Sequence, residues 1–590
     1  MRLAAAGATI DGVTVRNHAQ AGIQTATSNS GYTVRNTIMT DTEAGIDLET
    51  STTDPQLTLI ERNRFDRNNR PTLRSGIYSD GTADHVSIED NLFVAHNNVP
   101  INISGVGAGR IQRNITIAGN AFEDERHLLL LDADGVEVTG NTFSEGRSRA
   151  ISVEGGVQDL AISGNTIEDA PNAGIIFLNR YSAGTNGTAM IEGNSITGTT
   201  EGDLPVAGGA AVAIAEETSG LPGYTGELNV TGNEITGNAA GIRNSVAGAT
   251  VNAPNNWWGC SAGPGNAPCD SISGNVTATP NVVLSLDASA SRVPVGAPVS
   301  VTASVDENSA GQPVDLPVLE GHGISFGASG GSVSPATALV ADGSAVTQFT
   351  GTTSGPASVT AGLDAETASI GVFVGAAPGV ASATLSGSGT VGEALTCSAA
   401  GVTGNPEPAV STAWLRGGNE IAGQTRSAYA PVEDDTGSGI SCRITVTNEF
   451  GSTTADSAEI TVAGRPVPPP PEPKPPVIKP QKKQIRVPNS GKVVVAAVRC
   501  PDGTCRINTP NRVKVRIRGK VYRVRVAAPN RVTKGDSARI RIVLPKAARK
   551  ALRGTRTKAK VRIVLTSSNG ERTVTNRAVK LKGAKKRNQR

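Results

Sequence analysis

A chain of 590 residues has room for about four domains. Its 69 Gly, 34 Pro, 37% hydrophobic and only 3% aromatic residues fit short strands with frequent turns better than helix bundles. The longest apolar runs, such as residues 128–131, fall far short of the ~18 residues a membrane helix needs, which excludes such a span.

The net charge of +3 conceals a division. From Pro466 onward there are 35 Lys and Arg against four acids (Glu472, Asp502, Asp536 and Glu571), and the preceding residues are acidic by nearly the same amount. Every lysine lies at or after Lys474. So sharp a split predicts two bodies with different partners, or bodies that attract each other. The six Cys form three close or domain-consistent pairs, which predicts disulfides and an oxidising compartment.

Met1-Arg2-Leu3 leads into small and polar residues without the apolar core of a signal peptide. The opening reads as the middle of a repeat, and the expectation is that an export signal lies upstream of this chain.

Six segments then align: Val86-Ser-Ile-Glu-Asp-Asn91, Ile115-Thr-Ile-Ala-Gly-Asn120, Val136-Glu-Val-Thr-Gly-Asn141, Leu160-Ala-Ile-Ser-Gly-Asn165, Ala189-Met-Ile-Glu-Gly-Asn194 and Leu228-Asn-Val-Thr-Gly-Asn233. Two residues beyond each Asn stands Phe93, Phe122, Phe143, Ile167, Ile196 or Ile235. Residues 13–17, 32–36 and 57–63 look like earlier, out-of-phase copies, and 251–258 like a degenerate later one. Each copy is followed by a second short strand, such as Gly45-Ile-Asp-Leu48 or Ala150-Ile-Ser-Val153. A coil of fixed cross-section and variable loops produces this pattern. One rung cannot bury its apolar side, but stacked rungs make a continuous core, so a parallel β-helix is predicted. Asn is expected at the bend because it tolerates left-handed backbone, with its side-chain amides bonding along the stack at ~4.8 Å.

Residues 8–273 resemble the right-handed parallel β-helix superfamily that includes pectate lyase-like proteins. Asn255-Asn256-Trp257-Trp258-Gly259-Cys260 and the following residues to Cys269 look like a terminal rung of secreted bacterial members. The resemblance implies that Trp257 and Trp258 cover the open core and that Cys260 and Cys269 close a short loop.

Regularly spaced short strands predict a β-sandwich over 279–376, which resembles the invasin-like bacterial Ig-like domains of surface adhesins. Residues 377–463 carry Cys397, Trp414 and Cys442 in the order of an Ig sandwich, with a Cys397–Cys442 bridge and Trp414 packed against it. Residues 464–484 are proline-rich and read as a stiff, extended linker. Over 485–582 cations alternate with Val and Ile, predicting a basic β-sandwich and a short helix at 545–552, followed by a basic tail at 583–590. Period 2 places Lys514, Arg516, Arg518, Arg523, Arg525, Arg539, Arg541, Lys560 and Arg562 outward as candidates for binding a polyanion. Cys500 and Cys505 are expected to close a small loop.

Enzymes on the β-helix fold cleave or epimerise acidic polysaccharides. The absence of lysine, of Gly-His-Gly and of Arg-Ile-Lys from the repeat region weighs against such an activity here. One constellation remains. Aligning the second strands on Ile46, Ile77, Leu129 and Ile151 puts Glu49, Asp80, Asp132 and Glu154 at one offset, with Asp47 beside them. A column of like charges raises carboxylate pKa values unless a cation relieves it. A lyase-like site would hold Ca²⁺ on these carboxylates and use Arg74 or Arg149 on the substrate proton; no other cofactor is indicated. The alternative is a solvated acidic face.

The expected molecule is thus all-β: a right-handed parallel β-helix (1–278), two Ig-like sandwiches, a proline-rich linker and a basic sandwich. The expected role is a secreted or cell-surface protein that binds extracellular polysaccharide or anionic wall polymer, or mediates adhesion. A polysaccharide lyase and a passive structural spacer are the alternatives. Nucleic acid is disfavoured, because Tyr522 is the only aromatic residue over 485–582 and stacking platforms are missing.

Overall fold

The computed structural model describes every residue except 71–73, 108–109, 183, 185, 217–220, 222–223, 465–474 and 585–590. Three long parallel sheets of 11, 9 and 10 strands form the N-terminal region. The first runs from Thr9–Asp11 to Val276–Thr277, the second from Thr14–Arg16 to Glu234–Thr236, and the third from Ile23–Gln24 to Ile272–Ser273. In the first sheet Val86, Ile115, Val136, Leu160, Ala189 and Leu228 pair in one continuous register, as the repeat alignment requires.

The corner after that sheet is built by asparagine. The side-chain oxygen of each ladder Asn accepts from the backbone N–H and the amide of the Asn one turn earlier. Asn91 gives both bonds to Asn120 at 2.9 Å, and Asn120 gives both to Asn141 at 2.9 Å. The amide also reaches a carbonyl on the preceding turn, as from Asn141 to Ile117 at 2.8 Å. Asn165, Asn194 and Asn233 continue the pattern. Asn63 and Asn256 extend it at either end. Left-handed backbone is not what places asparagine here, contrary to expectation. The left-handed residue is the one before it: Arg62, Asp90, Gly119, Gly140, Gly164, Gly193, Gly232 and Asn255 have positive φ, and the ladder residues do not. Asparagine is there because its amide satisfies backbone groups that a turn buries. Asn17 and Asn36 are likewise left-handed turn residues outside the ladder, and Thr37 takes the ladder position in its turn.

Inside, Phe65, Phe93, Phe122 and Phe143 stack in one column with ring centroids 4.5–5.0 Å apart. The facing strand makes room with glycine: a Cβ on Gly76 would stand 2.7 Å from the Phe93 ring. Trp258 closes the far end of this core, and Cys260 bonds to Cys269. Trp257 does not join it, contrary to expectation. It belongs to the core of the next domain, and its indole N–H donates to Asp364 at 2.6 Å. Two adjacent tryptophans therefore serve two cores.

Two sheets follow over 279–376, antiparallel except that Arg292–Pro294 runs parallel to the last strand. Their last strand, Glu366–Gly379, crosses the expected boundary at 376 and pairs with Thr403–Asn405 of the next sandwich. In that sandwich Cys397 bonds to Cys442, and Trp414 lies across from Cys442 on the neighbouring strand. Its indole donates to the Arg426 carbonyl at 2.8 Å.

The C-terminal body is a separate unit with two five-stranded sheets around one core. The segment expected as linker is shorter than 464–484, because Val477–Pro480 and Gln484–Arg486 are strands of these sheets; residues 465–474 lie outside the described residues. Lys546–Leu552 is the predicted helix, and Cys500 bonds to Cys505.

Candidate functional site

The carboxylate column stands on the outer face of the third sheet. Its register pairs Ile46 with Ile77, Ile77 with Ile101, and Leu128 with Ile151. The column at the proposed offset therefore reads Glu49, Asp80, Ser104, Leu131 and Glu154. Asp132 is one residue out of register, contrary to expectation, because Leu128 and not Leu129 pairs with Ile151. Asp132 has left-handed backbone and accepts from the Ser182 hydroxyl at 2.6 Å.

The column also divides by burial. Ser104, Leu131 and Glu154 are covered, and only Glu49 and Asp80 reach solvent, beside Asp47 and the half-buried Tyr78. Burial pushes the Asp47 carboxyl up, the Gln24 amide opposes this, and the Asp80 charge adds to it. Burial also raises Glu49, helped by the charges of Asp47 and Asp80. Arg110 pairs with Asp80 at 3.6 Å. Among the described residues no group of three His, Cys, Asp or Glu side chains is arranged to hold a metal ion. Asp47, Glu49 and Asp80 thus form an acidic patch that Arg110 neutralises in part.

The candidate arginines separate. Arg74 is exposed with left-handed backbone. Arg149 is buried: its guanidinium donates to Glu154 at 2.7 Å and to the Ser152 hydroxyl at 3.1 Å, and the side-chain exposures of Arg149 and Glu154 are 7% and 1%. A guanidinium held this way neutralises a buried carboxylate and is not presented to a substrate. Farther along the same sheet face, Ile176, Leu178, Ala210 and Ala213 are covered by an apolar layer that includes Leu204 and Val206. That layer covers the middle turns of this face, while Arg243 and Ser273 on its last turns again reach solvent.

The basic sandwich behaves differently. All nine candidate cations are exposed, while Val513, Val515, Val524, Ile540, Ile542, Val561 and Ile563 point into the core. Strand pairing sets cations directly opposite one another. Arg512 faces Arg525 and Lys514 faces Arg523 on one sheet, and Arg556 faces Lys582 and Lys558 faces Lys580 on the other. Arg506 faces Arg531 as well. Like charges directly opposite on a sheet are destabilising. The described acids do not relieve them: Asp502, Asp536 and Glu571 lie outside the strands, and Asp502 pairs with Lys534 at 3.9 Å.

The sequence reading missed Tyr78, Arg110 and the opposed cation pairs. The Asp47–Tyr78 adjacency follows once Ile46 is aligned on Ile77. Arg110 sits just before a strand, where no periodic signal marks it. The cation pairs depend on hairpin register.

Residues 2–122 and 60–219 match the family model of the right handed beta helix region. No curated protein matches the chain. Among solved structures, a three-Ig fragment of titin is 14% identical over 51% of this chain and 98% of its own, with a TM-score of 0.20. The insect immune protein hemolin is 12% identical over 52% of this chain and 79% of its own, with a TM-score of 0.25. InvD of Yersinia pseudotuberculosis is 12% identical over 51% of this chain and 98% of its own, with a TM-score of 0.19. Likenesses this remote carry no argument about function. The family match and the three stacked parallel sheets agree: the N-terminal region of this chain is a right-handed parallel β-helix, followed by antiparallel β-sandwich domains.

Proposed function

We propose that the chain is a modular extracellular surface protein whose C-terminal sandwich holds an acidic polysaccharide or anionic wall polymer. The opposed cation pairs carry this reading: Arg512 with Arg525, Lys514 with Arg523, Arg556 with Lys582 and Lys558 with Lys580. A fold that places like charges across a strand pair, without acids between them, is relieved when a polyanion lies over the face. Arginine forks suit carboxylate and phosphate oxygens alike. Tyr522 is half-buried against the core, so stacking on nucleic-acid bases has no platform on these faces. The three disulfides fit an oxidising compartment. Among the described residues no helix is long and apolar enough to cross a membrane. The β-helix supplies a second, acidic element whose accessible patch is Asp47, Glu49 and Asp80.

The test is retention of the full chain on immobilised polygalacturonate. Retention is expected at about 50 mM salt and release by about 0.5 M, as screening shortens the reach of the exposed charges. The combined variant Lys514→Gln, Arg523→Gln, Arg525→Gln, Arg541→Gln should elute at clearly lower salt. Absence of retention at low salt, or retention insensitive to both salt and these substitutions, would refute the reading.

A further inference from the structure

The cations of the C-terminal sandwich occupy both of its sheets. On the first sheet, Lys514, Arg523, Arg525, Arg539 and Arg541 are exposed across three neighbouring strands. On the second, Lys582 lies between Arg486 and Arg556, and Lys580 lies across from Lys558. Neighbouring strands are ~4.8 Å apart, so Arg486, Lys582 and Arg556 make a row of three positive charges across the sheet.

Alternation sends the residues between these cations into one shared core. Val513, Val515, Ile540 and Ile542 enter from the first sheet, and Val561, Ile563, Val579 and Leu581 from the second. The two cation sets therefore project away from each other, separated by a sheet-to-sheet spacing of ~10 Å and by the side chains themselves. A stiff polymer segment lying along one face does not reach the other. Each face carries its own like-charge repulsion, and an anion on one leaves the other unrelieved.

We propose that this sandwich is bivalent for the acidic polysaccharide: each outer face takes a separate chain segment, and one protein molecule cross-links polymer. The proposal rests on the polyanion reading above and adds stoichiometry and consequence to it. It predicts that binding and cross-linking are separable properties. The bound polymer would be gathered into a network, with the protein as the junction.

The experiment uses the full chain and soluble polygalacturonate at low salt. Light scattering should rise as protein approaches charge equivalence and fall again with excess polymer, which separates the junctions. Two variants each neutralise one face: Arg523→Gln, Arg525→Gln, Arg539→Gln, Arg541→Gln on the first, and Lys558→Gln, Lys560→Gln, Arg562→Gln, Lys580→Gln on the second. Each should still be retained on the immobilised polymer while its scattering falls to background. Retention of the native chain should exceed that of either variant by about 10²-fold, because a second contact made from an already bound molecule is intramolecular. Native chain that binds polymer without raising scattering would overturn bivalency and leave the polyanion reading standing. A single-face variant that still cross-links fully would also overturn it. No binding by the native chain would overturn the polyanion reading itself, and bivalency with it.

Discussion

The β-helix and the C-terminal sandwich solve the same problem, a stack of strands with polar groups to place, in opposite ways. In the β-helix the repeated polar group is buried and satisfied. Asn91, Asn120, Asn141, Asn165, Asn194 and Asn233 are each at most 2% exposed, and each bonds to the turns on either side. In the sandwich the repeated polar group is exposed, with cations facing cations across the pairing. A ladder whose bonds close within the fold is structural. A row of charges whose field does not close within the fold is available to a ligand. A polar group repeated on neighbouring strands therefore has two meanings, decided by whether it finds its partner inside.

The sharpest test of this contrast is to remove one polar group from each region. Asn141→Ala leaves the Ile117 carbonyl and the Asn120 backbone N–H without their partner. Each unsatisfied buried group costs about 1–3 kcal/mol, so the loss should be on the order of 3–5 kcal/mol by chemical denaturation. A loss under about 0.5 kcal/mol, the range of ordinary surface substitutions, would show that the ladder is decorative.

The next effect is a pH dependence at the end of the β-helix, where it meets the first sandwich. Glu234 accepts from the Ser195 hydroxyl at 2.6 Å and pairs with His322 at 3.3 Å. The hydrogen bond to Glu234 raises the His322 pKa above 6.5, with burial opposing and the Glu234 charge adding. Burial pushes Asp270 from 3.8 up to about 6, against its bonds from Asn238. Burial also raises Asp364. All three folded pKa values lie above the unfolded ones, so all three act in the same direction. The His322 contribution is complete below about pH 6.5 and fades as pH rises through its raised folded value. The Asp270 contribution is complete below 3.8 and fades as pH rises through about 6. The joint contribution of these three groups to the unfolding temperature should therefore fall with rising pH across this window, while the buried His127, whose pKa burial holds well below 6.5, acts in the opposite direction. His322→Gln should flatten the upper part of the curve and Asp270→Asn the lower part. Curves for both variants that parallel the native one would remove these groups from the linkage.

The smallest effect has the opposite sign to the first. Lys514→Gln removes one of two like charges facing each other across the strand pair. It should leave stability unchanged or raise it by a few tenths of a kcal/mol, read from the same denaturation curves. A loss of 1 kcal/mol or more would mean that these cations are structural after all, and the contrast between the two regions would dissolve.

Much of the architecture is legible in residues alone. The recurrence of Asn at a fixed distance from two alternating apolar residues places the first sheet, the corner and the phenylalanine column. The six cysteines pair as their spacing suggests. The candidate site is less legible. Asp132 lies one residue from its expected place, because Leu128–Leu131 is a continuous apolar run in which either phase is acceptable. A one-residue slip in a strand moves a side chain to the other face, so such a run carries no register of its own. Arg149 looked available because nothing local shows that Glu154 lies against it under cover. The proline-rich linker lost its last residues to two strands, since Val477–Pro480 lies along the Lys492–Arg499 strand, a long-range pairing.

The sequence by itself determined which residues face inward, where the chain turns, and how charge is divided along it. These follow from the two-residue period of a strand and from composition, and they need no knowledge of distant neighbours. Only the tertiary structure decided that Trp257 and Trp258 enter different cores, that one arginine is buried against a carboxylate, and that cations on neighbouring strands stand face to face. Those outcomes depend on strand register and on which loop covers which face, which are settled by packing between segments far apart in the chain.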